Sequence, residues 1–161
     1  MPFHPTSLFS GSLANATSTV ALALCGQWES GSAAGPINGP SQWLWGEAEA
    51  YSKEPTWRHT ATGYLIHHAM SVLWANVYEE LQSRSRMHSA SSTCANAAIV
   101  STLGYVVDYG VAPKRLRPGF KKHLGPASIF CVYASFGVGL ALASWLSSRT
   151  NERTRCDEVT K

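Results

Sequence analysis

The sequence predicts an all-α protein, a four-helix transmembrane bundle with a Gly/Pro/Trp-rich interfacial loop after the first helix. Three observations carry that expectation. Small residues recur every four positions near the C-terminus, at Ala127, Cys131, Ser135, Gly139, Ala143 and Ser147. Four residues is close to one helical turn, so they form one smooth stripe, and the residues between them are largely apolar. A helix apolar nearly all round, with a seam of small residues, packs as a membrane span does. Second, only 14% of the 161 residues are charged, against about 25% in an average soluble domain. Third, the charges are clustered. Uncharged runs cover Met1–Trp28, Ser30–Gly46, His59–Tyr78, Met87–Val107 and His123–Ser148. All but the Gly- and Pro-rich second run reach the ~20 residues that a membrane helix needs. The mean hydropathy of -0.09 is low for such a chain, so a soluble helical domain stands as an alternative.

The expected membrane domain covers residues 1–148, with spans at about 7–27, 61–81, 90–111 and 126–146. Span one carries a small-and-polar stripe of Gly11, Asn15, Thr19 and Ala23. The stretch Gly31–Pro40 that follows holds two prolines and three glycines, which forbid one regular helix. With Trp43, Leu44, Trp45, Tyr51 and Trp57 after it, it reads as an interfacial anchor at the headgroups, more readily than as a re-entrant loop.

Span two has a polar inner face of Gly63, His67, Ser71, Ala75 and Glu79. Tyr64, His68, Val72, Asn76 and Glu80 lie beside it. Span three carries the stripe Ala90, Cys94, Ala98 and Thr102, and Pro113 stops it. The connector Pro113–Gly125 places Leu116, Phe120 and Leu124 among five basic residues, as a positive-inside loop whose apolar trio can dip into the interface. The dense basic connector puts loops one and three on the cytoplasmic side. Arg84 and Arg86 fall on the other side, with a polar, disordered tail at 149–161.

The formal net charge of +3 flanks apolar spans, so nucleic acid is not an expected partner. The bilayer is, together with a second copy or another membrane protein. No CxxC or Cys/His spacing suits zinc, and the cysteines read as small packing residues. No Gly-rich phosphate loop, HExxH or GxSxG occurs, so neither catalysis nor a cofactor is expected. Haem would need a second histidine at matching depth, and His88 and His123 sit at span ends.

The polar residues inside the spans are the candidates for function. His67 and His68 lie about seven residues into span two, and Asp108 enters from the same side at a similar depth. Ionisable groups at depth mark functional sites by default. A His67–Asp108 contact could hold one imidazole in place, and Asn15 could hydrogen-bond a neutral histidine across the bundle. His67, on the small-residue stripe, is expected to be the more buried of the pair. The favoured activity is a non-enzymatic packing or assembly component that self-associates. The alternative is a small transporter or channel using His67, His68 and Asp108.

The segments GSAAGPINGPSQWLWG, HTATGYLIHHAMSVLWANVYEE and VVDYGVAPKRLRPGFKKHLG, followed by a last apolar span, resemble a family of uncharacterised small multi-pass membrane proteins from bacteria. The resemblance covers about Ala14 to Leu146. It implies a four-helix bundle in the bacterial inner (plasma) membrane and no particular activity.

Overall fold

A computed structural model describes residues 3–85 and 89–159, with side chains through Arg149. Arg86 and His88, and the tail side chains beyond Arg149, lie outside the described residues. Among the described residues all regular structure is helical. Four long helices dominate: α1 (Thr6–Ser30), α4 (Thr62–Arg84), α5 (Ala90–Val106) and α6 (Pro126–Val159). Two short ones, α2 (Ala34–Asn38) and α3 (Gln42–Trp45), lie between α1 and α4.

Local sequence sets the helix ends. Gly31 stops α1 in the left-handed region (φ 71°), and its N–H returns to the Gly26 carbonyl. Ser89 starts α5 through a reciprocal pair of bonds: its hydroxyl accepts from the Ser92 N–H at 3.2 Å, and its own N–H donates to the Ser92 hydroxyl at 3.1 Å. Pro126 occupies the first position of α6, where no amide hydrogen is needed. The last helix runs on to Val159. The stretch expected as a disordered tail therefore continues the helix, since Arg149–Val159 holds neither glycine nor proline to stop it.

The long helices form a ring. α1 packs on α4 and α6, and α5 packs on the same two, with α4–α5 the loosest pair. Small residues allow the close approaches. A Cβ on Gly11 would stand 2.6 Å from the Val72 Cα, and one on Gly139 would stand 2.5 Å from the Ala14 Cα. Polar side chains share the interior with apolar ones such as Leu22, Val100 and Leu140, and large apolar side chains face outward. Ser7, Ser10, Asn15, Ser18, Ser71, Asn96 and Ser101 are buried, while Leu24, Leu65, Leu73, Ile99, Phe130 and Val138 are exposed.

Among the described residues, three helices are long and apolar enough to cross a membrane: Thr6–Ser30, Ala90–Val111 and Pro126–Arg149. α4, the expected second span, is long enough at 23 residues. Its two histidines, Asn76, Glu79 and Glu80 leave it more polar than that group.

Two segments lie deeper than their composition suggests. The loop after α1 is a folded cap, with Gly35, Pro36, Asn38, Gly39, Pro40, Ser41 and Gln42 all buried. The Asn38 side chain holds it closed, donating to the carbonyls of Ser52 (2.9 Å) and Glu54 (3.0 Å) and accepting from the Thr60 hydroxyl (2.7 Å). The connector 113–125 folds onto this cap. Gln42 and the Trp43 indole both donate to the Arg117 carbonyl, the latter at 3.3 Å, and the His123 Nε2 meets the Ala50 carbonyl at 2.8 Å. Phe120 and Leu124, read as part of a positive-inside loop and able to dip into the interface, instead fill a core with Ala21, Leu22, Ile129 and Val132. They turn inward because the cap and the ends of α1 and α6 offer a closer apolar surface.

Candidate functional site

Each long helix delivers a polar side chain to one interior cavity. Ser18 comes from α1 and His67 and Ser71 from α4. Ser101 comes from α5 and Asp108 from the wider turn that extends it, Val107–Val111. Tyr133 comes from α6. The cavity offers about 50 Å³ to the centres of water-sized molecules. At the ~10–15 Å³ that one water requires, that is room for a few waters. Pro40, Trp43, Pro118 and Phe120 form its wall toward the cap. Beyond it, Ala14, Ala75, Tyr78, Ala97, Val100, Phe136 and Leu140 form an apolar cluster.

His67 is held on two sides. Its Nε2 lies 3.0 Å from the Ser18 Oγ, and its ring stands edge-on to Phe120 at 5.8 Å. The Ser18 hydroxyl also lies 2.8 Å from the Ala14 carbonyl, which holds it in place beside the ring.

Asp108 accepts a hydrogen bond from the Tyr133 hydroxyl at 2.5 Å. It does not bond His67: the two line the same cavity, each with its own partner. The expected His–Asp contact is replaced by two pairs, His67–Ser18 and Asp108–Tyr133. Ser101, which faces the same space, is tied to the Tyr133 carbonyl.

The other candidates lie elsewhere. His68, on the adjacent face of α4, stacks on Tyr64 with ring centroids 6.3 Å apart, and its Nδ1 is buried without a partner. Asn15 is fully buried, and neither of its amide atoms has a hydrogen-bond partner. It does not meet a histidine by hydrogen bond.

The small-residue seam of α6 is divided. Ser135, Gly139 and Ala143 lie inward, where the Ser135 carbonyl accepts from the Thr17 hydroxyl at 2.8 Å and Gly139 abuts Ala14. Ala127 and Cys131, expected on the same seam, are exposed. The stripe Ala90, Cys94, Ala98 and Thr102 of α5 is exposed throughout. α5 instead buries Asn96, Ala97, Val100, Ser101 and Gly104. A spacing of four drifts around a helix of 3.6 residues per turn, so a long stripe leaves the interface that one end of it occupies.

Tyr133, Ser18 and Phe120 were not legible as site residues. Tyr133 looks like one more apolar residue between the small ones, and its role depends on Asp108 lying opposite. Among the described residues, no three His, Cys, Asp or Glu side chains gather closely enough to hold a metal ion. No family model, curated protein or solved structure matches this chain.

Proposed function

We propose that this chain is a four-span integral membrane protein acting as a small proton-handling channel or carrier. His67 and Asp108 are its proton-holding groups, and the basic cap faces the cytoplasm of a bacterial cell. The observation that carries this reading is the convergence of polar side chains from all four long helices on one interior cavity. Packing alone does not require a histidine, an aspartate and a tyrosine around a space large enough for water. Such groups at depth are costly and by default mark a functional pathway.

The membrane part of the reading draws on the exposed apolar faces of all four long helices. α4 itself shows Leu65 and Leu73 outward. Trp28 and Trp57, each 90% exposed at the cap end, suit a headgroup belt. The basic residues of the cap, Lys53, Arg58, Lys114, Arg115, Arg117, Lys121 and Lys122, set its side by the positive-inside rule.

Two measurements test it. Carbonate washing should leave the protein in the membrane pellet; release into the supernatant would end the four-span reading. In proteoliposomes under an imposed pH gradient, the protein should conduct protons, and His67→Ala or Asp108→Asn should abolish the flux. Protein-dependent flux that both variants retain, or no flux in a well-folded preparation, would overturn the proton pathway.

A second reading, an assembly component that associates with copies of itself or another membrane protein, has its own support. The exposed small residues Ala90, Cys94, Ala98, Ala127 and Cys131 are of the kind that lets another helix approach closely.

A further inference from the structure

The outer face between α5 and α6 carries a second, larger feature. A groove of about 660 Å³ runs along it, floored by small side chains such as Ala98, Ala134 and Gly137 and walled by Phe130 and Val138. It is overwhelmingly apolar, and Tyr105 and Pro126 line it where α5 ends and α6 begins, at the cap.

A cation lies beyond that end, outside the groove's own lining. Lys121 lies five residues before Pro126, with its Nζ 4.1 Å from the ring centre of Tyr109, and Tyr109 is 5.2 Å from Tyr105 of the groove. Among the described residues no carboxylate pairs with Lys121, whereas its neighbour Lys122 lies 3.5 Å from Glu47. Lys114 and Arg115 add exposed positive charge on the same connector.

An apolar groove with an ammonium group beyond its cap end, held on an aromatic ring and paired with no described carboxylate, matches one class of molecule. We infer that the α5–α6 groove binds an anionic phospholipid, with an acyl chain along Ala98, Ala134 and Gly137 and its phosphate at Lys121. The charge complementarity distinguishes this occupant from a zwitterionic lipid, because a basic side chain near the bilayer surface favours net-negative headgroups.

The inference rests on the four-span reading, and its test separates the two. Carbonate extraction reports on membrane insertion alone. Lipid preference is then read on the purified, delipidated full chain in detergent, by thermal unfolding with added phosphatidylglycerol or phosphatidylcholine. Phosphatidylglycerol should raise the midpoint by ~5 °C, as expected for a ligand well above its dissociation constant, and phosphatidylcholine should do markedly less. Lys121→Gln should remove the difference while Lys114→Gln keeps it. Ala134→Phe, which fills the groove from an exposed position, should also remove it. Equal stabilisation by both lipids, or a phosphatidylglycerol preference that survives Lys121→Gln or Ala134→Phe, would overturn the assignment. So would a disulfide-linked dimer through Cys94 in native membranes, because it would put a second chain in the groove.

Discussion

Gly139 of α6 lies against the main chain of Ala14 in α1, so close that a Cβ at position 139 would stand 2.5 Å from the Ala14 Cα and 2.9 Å from its nitrogen. Backbone cannot swing aside as a flexible side chain can. Gly139→Ala should therefore cost ~1–3 kcal/mol through overpacking, and Gly139→Leu should prevent folding. Detergent-phase thermal unfolding and size-exclusion profiles read both. A Gly139→Leu variant with unchanged stability would show that α1 and α6 do not pack in this way.

Gly63 makes the same demand between α4 and the cap. A Cβ there would overlap the Ile37 carbonyl oxygen. Gly63→Ala should detach the cap from α4 while leaving the helices in place. Limited proteolysis should then cleave within residues 31–57 faster than in the parent, with helical content by circular dichroism unchanged. Equal cleavage rates would mean the cap is not anchored at this point.

His123 confers a pH dependence on the cap. Burial is the main cause that holds its pKa below the usual histidine value of 6.5, and Lys53 and Lys122 push the same way, while the bond to Ala50 opposes them. The neutral ring is thus the form the fold prefers. Its contribution is fully present above pH 6.5 and is lost as pH falls through the lower folded value. Thermal stability should drop on acidification from pH 7.5 to 5, and His123→Asn should flatten that part of the profile. An unchanged slope in the variant would place the titration elsewhere.

Asn15 gives a prediction of opposite sign. Its amide is fully buried and forms no hydrogen bond, so it keeps the desolvation cost without the compensating interaction. Asn15→Ala, which removes the amide without adding volume, should leave stability nearly unchanged or raise it by ~1 kcal/mol. If the variant is instead destabilised by several kcal/mol, the amide has partners in the native protein, such as bound water.

His67 and Asp108 should separate by their partners. Ser18→Ala removes the hydroxyl that hydrogen-bonds the His67 Nε2 but leaves the Asp108–Tyr133 pair intact, and Tyr133→Phe does the reverse. Each should reduce proton flux by ~10-fold or more if both groups take part, given the ~1.5–3 kcal/mol that a hydrogen bond to a charged group supplies. Flux sensitive to only one of the two would assign the pathway to that pair alone.

The helices were legible from charge-free runs and terminators. The expected third span, 90–111, matches α5 and the wider turn after it, and Pro126 opens the fourth. The inward position of Gly63, Ser71 and Ala75 on α4 also follows from their spacing. The cap was not legible. Glycines, prolines and tryptophans describe a surface loop as well as a buried one. Only the bonds from Asn38 to Ser52 and Glu54, and from Gln42 to Arg117, distinguish the two. The same limit hid the site. His67 and Asp108 stood out as ionisable groups at depth, but their partners Ser18 and Tyr133 are ordinary residues whose importance lies in the register between helices.

The ring order of the helices also has a consequence in time. α1 is made before the other described helices, yet one of its two main neighbours is α6, which is made after them. The connector that completes the cap, through His123 and Arg117, is likewise synthesised long after Ala50 and Gln42. During synthesis α1 can pair with α4, but the groove into which Gly139 fits stays open until α6 has been made. A chain cut short before α6 would display that unfilled face, with Thr17 and Ala14 at its centre, as the mark of an incomplete molecule.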